Sequence, residues 1–261
     1  GGEPLLFEDI YELVKFGKKL GVNITLGTNG TLLNEEVVRK LRYSKIDKVF
    51  VSLDHWEKEK HEWLRGESVF EKTINGIELL KKYGIRVRID SIIWKQNYDA
   101  IEKLVEFCEK LNVDEVMFAW PVKVGLAEKN YFQIFPPKEE YFSIGKKLKT
   151  IQKCSKVKVS YHRFKYFSKN CKDCPGGEKI FYINPEGRVS PCFWISCLLD
   201  LFSEKTVFEE KFLRLINDKS LEYFRKEKRK RYKQFGPGCP AICIIENGNL
   251  YSKDPLLHAH S

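Results

Sequence analysis

A β-type run paired with a helical pattern occurs four times in residues 1–120, and this alternation constrains the fold more than any other feature. Ile10, Leu13, Val14, Phe16 and Leu20 fall at helical spacing, and Gly21 ends that pattern. A strand over 22–26 follows, closed by Thr28-Asn29-Gly30, and Asn34 is the N-cap expected for a helix over 35–41. Strands over 48–53, 85–93 and 115–120 alternate with helices over 69–83 and 98–111. Alternation of this kind makes βαβ units around a parallel sheet. Right-handed crossovers then leave an open doubly wound sheet or a barrel, which periodicity does not separate.

After Pro121 the pattern changes. A helix over 139–152 and a strand over 157–161 are expected, and from Cys171 onward turn signals dominate: Pro175-Gly176-Gly177, Asn184-Pro185-Glu186-Gly187 and Gly236-Pro237-Gly238. A boundary near residue 165 divides the chain into 1–165 and 166–261. Hydrophobic residues at 43% and charged residues at 31% exclude a disordered chain. No uninterrupted apolar stretch is long enough to span a bilayer, so no membrane partner is expected. The chain opens on Gly1-Gly2-Glu3-Pro4 with no secretory leader, which points to a cytoplasmic protein. A net charge of +10 is mild for this length, and nucleic acid is not an expected partner. The basic run 225–233 reads as the solvated face of a helix.

Seven of the eight cysteines fall in the last 110 residues: Cys154, Cys171, Cys174, Cys192, Cys197, Cys239 and Cys243. Without a leader, a C-x2-C pair followed by more distant cysteines favours metal ligation over disulfides. Residues 180–192 read as a β-hairpin turning at Pro185-Glu186-Gly187, whose return strand brings Cys192 back to the pair Cys171 and Cys174. Cys239-Pro240-Ala241-Ile242-Cys243 closes the set. By ligand type, zinc and an iron–sulfur cluster suit such thiolates equally. Buried free cysteines are the plain alternative.

Gly1-Gly2-Glu3-Pro4-Leu5 resembles the Gly-Gly-Glu motif of radical S-adenosylmethionine (SAM) enzymes. Further resemblances follow in the family's order: Thr28 to Leu33, Val51-Ser52-Leu53-Asp54, the His61-x3-Arg65-Gly66 segment, and Val87 to Asn97. Gly187-x4-Cys192 and Cys239-x3-Cys243 are similar to SPASM, the cysteine-rich extension that holds auxiliary clusters in peptide-modifying members. The C-x2-C expected before Cys239 is replaced by residues 226–235, so the resemblance is to the single-cluster form, Twitch.

The resemblance implies an α/β fold: a partial (β/α)6 TIM-like barrel lacking its first strands, then a small SPASM/Twitch domain built on a β-hairpin and helix. It implies that Gly1, Gly2 and Glu3 hold the SAM amino group. Ser52 and Asp54 would face the SAM ribose or carboxylate, and Arg65 would pair with the carboxylate. It assigns Cys171, Cys174, Cys192 and Cys243 to one auxiliary 4Fe–4S cluster, with Cys239 and Cys197 as possible substitutes. Catalytic residues stay unassigned. The family's C-x3-C-x2-C loop is nowhere in the sequence. A second 4Fe–4S cluster is therefore expected on a missing N-terminal loop, with the chain truncated and inactive as it stands; a degenerate homologue is the alternative. The implied reaction cleaves SAM reductively to a 5′-deoxyadenosyl radical, with hydrogen abstraction from a peptide, a peptide-derived compound or a tetrapyrrole. Its electron donor would be a ferredoxin or flavodoxin. A non-catalytic module with structural zinc is the competing class.

Overall fold

Five parallel strands run in sequential order in one sheet: β1 (Thr25–Thr28), β2 (Lys48–Ser52), β3 (Val87–Ile92), β4 (Glu115–Ala119) and β5 (Lys158–His162). The computed structural model describes residues 2–162 and 174–255. The chain divides into two compact units, residues 1–121 with 130–164, and 122–129 with 165–261.

In the first unit the helices are α1 (Ile10–Lys19), α2 (Glu35–Tyr43), α3 (Lys58–Arg65), α4 (Phe70–Lys82) and α5 (Ile101–Lys110). The short α6 (Leu126–Lys129) belongs to the second unit; α7 (Tyr131–Ile134) and α8 (Tyr141–Cys154) return to the first. The expected N-cap is present, with the Asn34 side chain accepting from the Val37 N–H. Strand ends differ from the expected ones by a few residues, and helix α3 falls in a stretch whose helical character the charge-rich Lys58-Glu59-Lys60 sequence hides.

Each crossover steps in the same direction, and right-handed connections then place the connecting helices on one face of the sheet. The two faces differ accordingly. Leu26, Val49, Val51, Val87, Ile89, Val116, Phe118 and Val159 are buried on one side. The alternate positions carry Lys48, Phe50, Ser52, Arg88, Asp90, Glu115, Met117 and Ser160, a largely polar face. Charges there are paired: Glu115 accepts from Lys48 at 3.0 Å and from the Ser160 hydroxyl at 3.0 Å.

The second unit contains the antiparallel pair β6 (Tyr182–Ile183) and β7 (Val189–Ser190), joined through the Pro-Glu-Gly turn. Gly187 has φ 83°, and a Cβ there would lie 2.7 Å from the Phe208 ring, so both backbone and space require glycine. Four helices follow: α9 (Phe193–Leu199), α10 (Phe212–Leu215), α11 (Lys219–Phe235) and α12 (Pro240–Asn247). Ile195, Phe224 and Ala241 form a core onto which Cys192 and Cys239 pack. Among the described residues no helix is long and apolar enough to cross a membrane.

Candidate functional site

At the C-terminal ends of β1–β3 a cavity of about 380 Å³ is lined by Gly2, Glu3, Gly27, Thr28, Asn29, Phe50, Ser52, Arg65 and Asp90. Its size is in the range of small-molecule sites, and the ends of parallel strands are where ligands of such sheets bind. Gly2, Glu3, Ser52 and Arg65 of the sequence-derived set thus meet on one wall; Gly1 lies outside the described residues. Larger clefts, of about 580 and 570 Å³, sit among helix side chains of α5 and α8 and around Tyr43 and Tyr83.

Glu3 is fastened to the end of β1. One carboxylate oxygen accepts from the Thr28 hydroxyl at 2.7 Å and from the Leu5 N–H at 3.2 Å; the other accepts from the Asn29 N–H at 2.9 Å. An ionised carboxylate has about four acceptor positions, so one remains for a cationic ligand group.

Asp54 lies behind the cavity rather than on its wall. It is fully buried and absent from the cavity wall, with one carboxylate oxygen accepting from Arg65 Nε at 2.5 Å and the other from the Ile92 N–H at 2.7 Å. Each oxygen of Asp54 is engaged inside the protein, and its carboxylate holds Arg65 in place. The His-x3-Arg spacing has the same explanation. On α3, His61 and Arg65 lie on one helix face, where His61 Nδ1 accepts the Asp54 N–H at 3.3 Å while Arg65 grips its carboxylate. Burial lowers the His61 pKa, which favours the neutral ring that the acceptor role needs. The Asp54 charge, outweighing the effect of burial, raises the Arg65 pKa, and its Nη groups carry no hydrogen bond to the described residues. Asn97 completes the support, donating to the carbonyls of Asp54 at 2.8 Å and Ile92 at 2.9 Å.

Five wall residues, Gly27, Thr28, Asn29, Phe50 and Asp90, were not among the site residues expected from sequence. Asp90 accepts from both Arg88 Nε at 2.5 Å and Arg88 Nη2 at 2.8 Å, and the Arg88 guanidinium lies 3.4 Å from the Phe50 ring centre. Burial, opposed by Arg88, raises the Asp90 pKa above its ordinary value. Alternation along β2 and β3 was the available signal: Ser52 pairs with Asp90 and Phe50 with Arg88, so all four share one face. Near this loop His55 stacks on Trp56, and Trp63 stacks on buried Trp94 at 5.2 Å.

In the second unit Cys171 lies outside the described residues. Cys174, Cys192, Cys239, Cys197 and Cys243 form no disulfide with one another. Cys192 caps α9, its sulfur accepting from the Ile195 N–H at 3.5 Å. Cys243 is buried on α12; burial raises its pKa, against the pull of Arg231, whose Nη2 donates to the sulfur at 3.2 Å. Among the described residues no three of His, Cys, Asp and Glu stand together as a metal group. Cys174, Cys192 and Cys243 therefore do not make a complete ligand set by themselves.

The basic run corrects its own expectation. Lys228 and Arg231, with Leu221 and Phe224, form the buried stripe of α11, while Lys226, Arg229 and Lys230 stay outside. Arg225 donates to the Gly177 carbonyl at 2.9 Å, Lys228 to the Cys174 carbonyl at 2.7 Å, and Arg231 to the Ser252 carbonyl at 3.1 Å. Cations of this helix hold the loops that carry the cysteines. A charge-rich sequence conceals this, because only tertiary contact distinguishes a buried lysine from a solvated one.

Residues 1–108 match the model of the radical SAM superfamily. Over that stretch, well under half of its length, the chain is similar to the superfamily. It is an enzyme superfamily that uses SAM and an iron–sulfur cluster, and the carboxylate, hydroxyl and guanidinium on the strand-end cavity suit an amino acid head group. The AdoMet-dependent heme synthase of Methanosarcina barkeri is 27% identical over 289 aligned positions, which cover 98% of this chain and 80% of the relative. The SuiB structure from Streptococcus suis with bound S-adenosylmethionine superposes with a TM-score of 0.79 at 20% identity, over 99% of this chain. This chain spans 65% of that SuiB chain. SuiB bound to its precursor peptide SuiA gives a TM-score of 0.75 at 19% identity, over 99% of this chain and 64% of that one. These two structural likenesses concern the fold.

For an iron–sulfur group in the second unit, two observations bear on fit. The donors are soft thiolates of the kind such clusters take. Arg231 is 1% exposed, yet its Nε–H has no acceptor among the described residues, an orphaned cationic donor beside Cys243. A buried unpaired donor is costly unless something negative is brought to it, so the residues fit an anionic thiolate-held group.

Proposed function

We propose that this protein is a radical SAM enzyme that abstracts hydrogen from a tetrapyrrole, a peptide or a peptide-derived compound. We read the first unit as part of a (β/α)6 barrel and the second as a Twitch-type SPASM domain with one auxiliary 4Fe–4S cluster. The observation that carries the reading is the meeting of Glu3, Ser52 and Arg65 on one cavity at the strand ends.

When bound and reduced by one electron, SAM supplies a 5′-deoxyadenosyl radical. The chain's own residues bind and orient it. Glu3 offers its remaining acceptor position to the SAM amino group, and Arg65, held by Asp54, offers its Nη hydrogens to the carboxylate, where a planar fork suits two oxygens. Ser52 and Asp90 present hydrogen-bonding groups to the ribose, and Phe50 forms an apolar wall. Asn97 and Trp94 tie down the carbonyl of Asp54, so the Arg65 anchor stays rigid through the reaction. Cys171, Cys174, Cys192 and Cys243, with Cys239 or Cys197 as substitutes, would hold the auxiliary cluster. A ferredoxin or flavodoxin would deliver the electron in a reducing cytoplasm.

The heme synthase relative, aligned over 98% of the chain, supports a tetrapyrrole substrate. The fold shared with SuiB, solved with its precursor peptide, supports a peptide. The test uses the natural gene product, reconstituted anaerobically with iron and sulfide, reduced with dithionite and given SAM. Formation of 5′-deoxyadenosine, lost in Arg65→Ala, is expected, and stimulation by a tetrapyrrole or by a peptide selects the substrate. No 5′-deoxyadenosine from cluster-loaded protein, or full yield from Arg65→Ala, would overturn the reading. Stoichiometric zinc in place of iron would favour the structural module.

A further inference from the structure

Among the described residues of the second unit Arg231 is the largest fully buried charged side chain, and it converges on a sulfur. Nη2 donates to Cys243 Sγ at 3.2 Å and to the Ser252 carbonyl at 3.1 Å; Nη1 donates to the Gly236 carbonyl at 3.1 Å. Nε–H, equally buried, has no acceptor among the described residues. The pocket is closed tightly around this group. A Cβ on Gly238, where φ is 155°, would come within 2.8 Å of Arg231 Nη2 and 2.7 Å of Asp254 Cβ. Asp254 in turn accepts the Cys239 N–H at 2.9 Å, so the two cysteines of the C-x3-C pair are gripped by one acidic and one basic residue. A buried guanidinium that spends one N–H on a sulfur and leaves another unspent is poorly matched to a neutral thiol. It is well matched to a sulfur that carries negative charge.

We propose that Arg231 is a positioning and charge-compensating residue of the auxiliary centre, setting its reduction potential through the hydrogen bond to Cys243. The inference rests on the auxiliary-cluster reading of the second unit. One-electron reduction of a thiolate-held cluster adds one negative charge and no proton need move. A buried cation donating to a ligand sulfur stabilises the reduced form more than the oxidised one, and so raises the potential. Lys228, the other buried cation of α11, donates to the carbonyls of Cys174 at 2.7 Å and Gly176 at 3.3 Å rather than to a sulfur. Its contribution is to hold the backbone.

The experiment is a dithionite redox titration of the reconstituted full chain, followed by electron paramagnetic resonance, for the parent, Arg231→Met and Arg231→Lys. Iron and sulfide analysis comes first. A parent with about four irons per chain supports the cluster reading, and a parent with none refutes that reading separately from the role of Arg231. With iron bound, Arg231→Met is expected to lower the reduced-to-oxidised ratio at fixed poise about tenfold, a shift of about 59 mV for a one-electron couple. Arg231→Lys should shift it less. An unchanged potential in Arg231→Met at equal iron content overturns the proposal. Should Arg231→Met fail to fold, the parent labelled with 15N-arginine decides. Electron–nuclear double resonance of its reduced centre is expected to show an arginine nitrogen coupling, and its absence overturns the proposal.

Discussion

Replacing Asp54 probes the anchor beneath the cavity. The carboxylate is fully buried, its partner Arg65 has a side chain 34% exposed, and the second oxygen satisfies the Ile92 N–H. Asp54→Ala removes a charge-assisted bond and leaves a backbone donor unpaired. Breaking a buried pair costs about 3–5 kcal/mol; because Arg65 keeps partial access to water, the lower end applies, about 3 kcal/mol. Asp54→Asn keeps an oxygen for the Ile92 N–H and loses the charge, so about 2 kcal/mol is expected. For a unit of this size, Asp54→Ala should lower the midpoint of thermal unfolding by about 6–12 °C. Urea unfolding followed by tryptophan fluorescence is a suitable assay, since Trp56, Trp63, Trp94 and Trp120 lie in the first unit and Trp194 in the second. The expected order is parent, then Asn, then Ala. Both variants within about 0.5 kcal/mol of the parent would refute the reasoning, because surface changes give effects of that size.

Other outcomes follow from the same packing. Gly76→Ala should destabilise by about 1 kcal/mol despite alanine's helical preference, because its Cβ would lie 2.7 Å from Leu33 Cβ and 3.0 Å from the Gly30 carbonyl oxygen; urea unfolding measures it. Lys228→Met should destabilise the second unit by about 2 kcal/mol, seen in thermal unfolding by circular dichroism, since the Cys174 and Gly176 carbonyls lose their donor. Asp90 should titrate above its ordinary 3.8 in carbon NMR of labelled aspartate. With its folded pKa raised, the native state holds the proton longer than the unfolded chain does. That contribution is full below the unfolded value and is lost as pH rises through the folded one, so Asp90→Asn should gain stability relative to the parent across that window.

The sheet was legible because each strand is a short run with apolar β-formers at alternate positions between turn signals, and each of the five expected strands overlaps an observed one. Strand order was not legible, since it depends on which strands pair. The motif Val51 to Asp54 pointed to the right loop, and Ser52 does line the cavity. Two residues later the chain has turned inward, so Asp54 is buried; sequence proximity to a site does not say which way a side chain faces. Asp90 escaped for the converse reason, lying 38 positions beyond Ser52 yet paired with it across the sheet. In α11 the apolar positions Leu221 and Phe224 set a stripe that Lys228 and Arg231 continue, which a count of charges reads as solvated surface.

The central claim is that the strand-end cavity binds SAM, and an NMR titration of the 15N-labelled chain with SAM tests it most directly. Saturable shifts are expected at Glu3, Asn29, Ser52, Arg65 and Asp90, weakened about tenfold or more in Arg65→Ala, where a charge-assisted bond is lost. Saturable shifts confined to other surfaces, or a titration in which Arg65→Ala behaves as the parent does, would contradict it.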